Sequence, residues 1–137
     1  MSELMKTVKI SSSGLRAQSE RMRVLSENIA NASSAPISPN ADPYRRKTIT
    51  FANVLDKTID ARTVRVKRIG SDQGDFPRRF EPGHPAADAA GYVKYPNVNS
   101  LIEAMDLREA TRSYEANLAV IENAKAMMNR TIDMLRN

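Results

Sequence analysis

The chain has no cysteine and no tryptophan, and aromatic residues make up 5% of its 137 positions. The lack of cysteine excludes disulfides, thiolate metal sites and a cysteine nucleophile. Histidine occurs once, as His84 in Pro82-Gly-His-Pro85, so one chain cannot build a multi-histidine metal centre. Neither a Gly-rich phosphate loop nor a Gly-x-Ser-x-Gly turn is present, which removes the usual supports for phosphate chemistry and for a serine nucleophile. The first ten residues lack the unbroken apolar core of a secretory signal, and no apolar run approaches membrane-spanning length. Neither Sec export nor membrane insertion is expected. The sequence nominates no catalytic residue, no metal ligand set and no cofactor-binding residue, and points away from an enzyme.

Large core-building side chains are also scarce. A compact domain of this size buries about 68% of its unfolded surface, a demanding target for a chain with 27% charged residues. Long helices need less, because each buries a single stripe.

The prolines divide the chain. All seven lie between Pro36 and Pro96, and both Pro-free ends carry apolar residues at heptad spacing. On the first end these are Val8, Leu15, Met22 and Ile29, with Leu4, Ser11, Gln18, Leu25 and Ala32 as the second, half-polar seam position. The helix is expected over about 2–34, with Ser11-Ser12-Ser13-Gly14 as its soft point, since glycine costs roughly 1 kcal/mol against alanine within a helix. A start near Ser13 is the alternative. On the last end Leu107, Tyr114, Ile121, Met128 and Leu135 repeat, with Ala104, Thr111, Leu118, Lys125 and Ile132 beside them. Ser100 and Glu103 have the spacing of a capping box. A helix over 100–136 would be ~54 Å long, a length typical of coiled coils and assembly elements.

The middle is basic and irregular. From Arg45 to Arg79 ten basic residues face four acidic ones, a surplus larger than the chain's net +5. Lys47–Phe51 and Thr63–Lys67 alternate like short strands, and a small β-hairpin is expected over 62–80. The expected fold is therefore mainly α: segments 1–35 and 97–137 pair as an antiparallel coiled coil, and 36–96 forms a Pro/Gly-rich middle with short β segments. Two functional classes remain on these grounds. One is assembly through apolar helix faces that a single chain covers poorly. The other is a basic, dimeric nucleic-acid-binding helical protein, using Arg45-Arg46-Lys47 beside Tyr44 and Phe51.

Longer motifs narrow the choice. Ser13-Gly-Leu-Arg-Ala-Gln18, Arg21-Met22 and Ser26-Glu-Asn-Ile-Ala-Asn-Ala32 resemble the N-terminal signature of bacterial flagellar rod and hook axial proteins. The pattern resumes after a longer insert at Pro43-Tyr-Arg-Arg-Lys47 and Phe51, as in the proximal-rod branch of that family. Glu81-Pro-Gly-His-Pro85, Asp88 to Asn99 and Ala110-Thr-Arg-Ser-Tyr-Glu-Ala-Asn117 are similar to the same branch. Ala86 and Ala87 depart from it, standing where an acidic residue commonly follows the His-Pro pair, and 54–79 carries little family signal.

The resemblance implies a structural subunit of the periplasm-spanning rod that carries motor torque. It implies export through the flagellar type III apparatus without a cleaved signal, and no cofactor or nucleic acid. Expected partners are copies of itself, FliE and the rod proteins FlgB, FlgF and FlgG. It assigns Val8, Leu15, Met22, Leu25, Ile29, Leu107, Tyr114, Leu118, Ile121, Met128, Ile132 and Leu135 to the seam between the helices. Asn28, Asn31, Tyr44, Arg45, Arg46, Lys47 and Asn117 become candidates for contacts between subunits.

Overall fold

The computed structural model describes residues 2–137. Helix α1 runs Glu3–Ala30. The Ser2 hydroxyl accepts from the Met5 N–H at 3.2 Å, satisfying one of the donors a first turn leaves open. The helix thus begins ahead of the Ser-rich stretch and not near Ser13. It stops short of the expected 34, where the Asn31 amide donates to the Glu27 carbonyl at 2.9 Å; such local side-chain bonds compete with helix continuation. Helix α2 runs Ser100–Arg136, with the limits the sequence predicts. Its cap differs. Asn99 Oδ1 accepts from the N–H groups of Leu101 (3.1 Å) and Ile102 (3.3 Å), so the Ser100–Glu103 box does not form and Glu103 turns elsewhere.

Strands β1 (Lys47–Asp56) and β2 (Ala61–Ser71) are neighbours in a two-stranded sheet. The connection, 57–60, is far too short for a parallel crossover, so the pair is an antiparallel hairpin. Its turn has neither glycine nor proline, which is why the sequence pattern misplaces it. Asp56 Oδ1 instead accepts from the Thr58 N–H (2.9 Å) and hydroxyl (2.6 Å), and Asp60 adopts φ +49°. The expected hairpin over 62–80 is corrected accordingly. The segment around Thr63–Lys67 pairs with β1, and β3 (Arg78–Phe80) pairs antiparallel with β4 (Tyr92–Lys94). Gly91 permits that second pairing: it has φ +88°, and a Cβ there would lie 2.8 Å from the Phe80 ring.

Two compact units draw on these elements. One comprises Met1–Met22, Thr50–Arg68 and Arg108–Asn137, the other Arg23–Ile49 and Ile69–Leu107; they cut across the three sequence segments. In the first unit Ala17, Ile59, Ala110, Ile121 and Ala124 are buried. The supposed soft point of α1 is where that unit packs most closely. Ser11 and Ser13 are buried, Ser13 Oγ accepts from the Val64 N–H of β2 at 3.2 Å, and a Cβ on Gly14 would lie 2.8 Å from Asn117 Nδ2. Arg21 reaches Glu109 at 3.8 Å. Small side chains let the backbones approach, and the packing there outweighs the modest helix-propensity cost of glycine.

Burial along α2 follows a stripe that overlaps the expected seam in part. Ala110, Ile121 and Ala124 are buried and Thr111, Tyr114, Asn117 and Met128 half-buried, whereas Leu118 and Lys125 are exposed. The stripe steps by three residues before it steps by four, and small residues occupy the tight positions. Leu118 (39%), Ile132 (54%) and Leu135 (82%) are exposed to differing degrees. Val8, Leu15 and Met22 of the first unit are half-buried, as are Ile29 and Leu107 of the second, where Leu25 is buried.

The second unit has a small apolar centre of Ala86, Val93 and Tyr95, against which Ala35 and Ala87 pack.

Candidate functional site

The sequence-nominated polar residues Asn28, Tyr44, Arg45, Arg46 and Lys47 converge in the second unit. Asn28 lies near the end of α1 and is fully buried. An asparagine amide has two donor hydrogens and two acceptor lone pairs, and all four are used. Nδ2 donates to the Lys47 carbonyl (2.9 Å) and to Glu103 Oε2 (3.0 Å), while Oδ1 accepts from the Tyr44 hydroxyl (2.6 Å) and the Lys47 N–H (2.9 Å). The side chain thus bonds both backbone groups of Lys47, as a neighbouring strand would, and fixes the residue where β1 begins.

Glu103 is 1% exposed. Besides Asn28 it accepts a short charge-assisted bond from Arg46 Nε, and Arg46 Nη1 reaches Asp72 at 3.5 Å. Hydrogen bonding to Glu103 holds the Arg46 pKa above its ordinary value. The Arg46 backbone is tied as well: its N–H donates to Asn97 Oδ1 (2.8 Å) and its carbonyl accepts from the Asp72 N–H (2.8 Å). Lys47 Nζ pairs with Glu27 at 2.6 Å, and that bond holds the Glu27 carboxyl below its ordinary value. Burial raises the Tyr44 hydroxyl's pKa, leaving it a firm donor to Asn28.

Arg45 points to another set of partners. Its guanidinium lies 4.2 Å from the Phe76 ring centroid, and Nη1 donates to the carbonyls of Asp72 (2.8 Å) and Gly74 (3.0 Å). Asn97 Nδ2 reaches the same two carbonyls at 3.0 and 3.3 Å. Nearby, the Tyr95 hydroxyl donates to Glu81 at 2.9 Å and carries Arg79 on its ring at 4.5 Å.

Three of the nominated groups have partners within this chain. Asn28 is enclosed, and its amide is fully used in holding this chain together. Asn117 belongs to the first unit, where it presses against Gly14 and donates to the Ser113 carbonyl at 3.0 Å. The Arg45–Lys47 run does not form a cationic stripe for phosphates, because Arg46 and Lys47 are paired with Glu103 and Glu27. Asn31 remains half-exposed at the end of α1.

Sequence reasoning missed Glu103, Asp72 and Asn97, which complete the cluster. One signal was available for Glu103, a carboxylate beginning the inward-facing series of α2, but its capping-box spacing diverted it. Glu103 and Glu27 are engaged by Arg46 and Lys47, an arrangement that fixes segments to each other.

Relatives agree with a part built for structure. A family described as "Flagellar basal body rod FlgEFG protein C-terminal" matches residues 89–134. The chain is 53% identical over 136 residues to a flagellar basal-body rod protein FlgC of Agrobacterium fabrum, covering 99% of this chain and 98% of that one. It is 39% identical over 127 residues to the FlgC of Salmonella typhimurium (91% and 92% covered) and 34% over 143 to that of Bacillus subtilis (93% and 95%). Identity at that level along nearly the whole of each chain places this protein in the FlgC family of flagellar basal-body rod proteins.

Proposed function

We propose that the chain is a structural subunit of the flagellar rod, whose α1 and α2 pair antiparallel as a coiled coil and whose outer helix surface joins other subunits. The observation that carries this reading is the family match along the full chain. Antiparallel pairing is supported in the first unit by two contacts. Gly14 of α1 lies against Asn117 of α2, and Arg21, seven residues further along α1, meets Glu109, eight residues earlier on α2. Packing against other subunits is supported by apolar side chains left more than half exposed, among them Met105, Met127, Ile132, Met134 and Leu135. Torque reaches the neighbouring subunits through these faces. The neighbours are copies of itself, FliE and the rod proteins FlgB, FlgF and FlgG, reached after type III export to the periplasm-spanning rod.

The natural absence of cysteine supplies the test. Gly14→Cys combined with Asn117→Cys, expressed in a strain lacking the native chain, should restore motility. On oxidation the chain in purified basal bodies should crosslink within itself. Absence of the chain from basal bodies would defeat the rod reading, and crosslinks solely between chains would defeat the intrachain pairing.

A further inference from the structure

The assembly reading leaves unassigned a recess of about 490 Å³ in the second unit, lined by Arg45, Gly74, Asp75, Phe76, Arg78 and Lys94. Three cations face one carboxylate. Arg45 is already oriented by Phe76 and two backbone carbonyls, so its fork meets an incoming carboxylate with little ordering left to do. Arg78 and Lys94 stand directly opposite each other on β3 and β4. Like charges in that position destabilise a strand pair. Asp42 bridges to Lys94 at 3.5 Å and is largely exposed. Asp88, which Arg78 influences, is already engaged by the Ala90 and Tyr92 N–H groups. A like-charge pair at the wall of a cationic recess is the arrangement of a site completed by a ligand's negative charge.

We propose that this recess binds an acidic polypeptide segment presented by a neighbouring subunit, two or more carboxylates lying against Arg45, Arg78 and Lys94. The proposal rests on the rod reading for what presents the segment, and on local geometry for the binding itself. A polypeptide fits better than a small anion because the recess has the volume of roughly fifteen water molecules, far more than one inorganic ion fills. It fits better than a nucleic acid because single strands need open aromatic faces to stack on, and Arg45 covers Phe76.

The test uses the full-length chain, ¹⁵N-labelled, titrated with a short peptide alternating glutamate and glycine, its glutamine counterpart, and inorganic phosphate. The glutamate peptide should saturably shift the amide signals of Gly74, Asp75 and Arg78, with affinity falling about tenfold or more between low and moderate salt. Arg78→Gln together with Lys94→Gln should weaken binding about tenfold or more while raising Tm by roughly 2 °C, because the like-charge pair is removed. A structural role for these side chains alone would not raise Tm while weakening binding. Equal binding of the glutamine peptide, unchanged affinity in the double variant, or saturation of the same signals by phosphate at the same concentration would overturn the proposal. Such a failure leaves the rod reading intact; absence of the chain from basal bodies removes that reading without affecting the peptide titration.

Discussion

Glu103 shows how one side chain decides the fate of several. Buried at the start of α2, its two oxygens receive Asn28 and Arg46, which belong to segments more than fifty residues away. Removing one member of a buried ion pair leaves its partners desolvated and unmatched, at a cost of about 3 kcal/mol or more. Glu103→Ala should therefore lower unfolding free energy by about 3 kcal/mol, although alanine is the better helix former. Glu103→Gln keeps the shape and an acceptor oxygen for one of the two donors, though it turns an NH2 towards the other, and should cost less than alanine. Urea denaturation separates the two; equal loss in both would mean that charge, not shape, is what Glu103 supplies. The residue was visible in the sequence as a carboxylate three positions after a serine. Its real role was not, because nothing local indicates that Asn28 and Arg46 will meet it.

The helices themselves were legible because heptad periodicity, a proline-free run and cap chemistry are local signals. Their facing was half legible: Tyr114, Ile121 and Met128 repeat by seven, whereas the companions Ala110, Asn117 and Ala124 do not look apolar as a set. Gly14 shows why. Read alone it weakens α1, but its missing side chain admits the Asn117 amide. Gly14→Ala gains roughly 1 kcal/mol of helix propensity yet places a methyl against an amide anchored on Ser113. It should lower stability by about 0.5 kcal/mol, the clash outweighing the gain. Combined with Asn117→Ala, the same substitution should stabilise by about 1 kcal/mol relative to Asn117→Ala alone. A double-mutant cycle by thermal or urea unfolding reads this; additive effects would mean that the contact carries no energy.

On the scale of the whole molecule, three carboxyls among the described residues lie below their ordinary pKa values. Bonding to Lys47 lowers Glu27, the Thr58 hydroxyl lowers Asp56, and the Tyr92 N–H lowers Asp88. Because each folded-state value is below the unfolded one, each contribution is complete above the ordinary carboxylate range near pH ~4. Each is lost as pH falls through the depressed folded values. The denaturation midpoint should hold from neutral pH to about pH 5 and then decline. Glu27→Gln and Asp56→Asn should flatten that decline; a decline of unchanged steepness in both would exclude these groups as its cause.

By itself the sequence determined the two long helices, the loop-rich basic middle and the family, since each is written in short-range patterns or in long motifs in a fixed order. Tertiary structure decided the rest. It sent β1 to β2 across a turn without glycine or proline, gave small residues the tightest positions of the seam, and folded Arg46 and Lys47 inward onto Glu103 and Glu27. The reason is the range of the interactions. Helix and cap preferences act over three or four residues, whereas a buried charge takes the partner that the closed fold brings within reach.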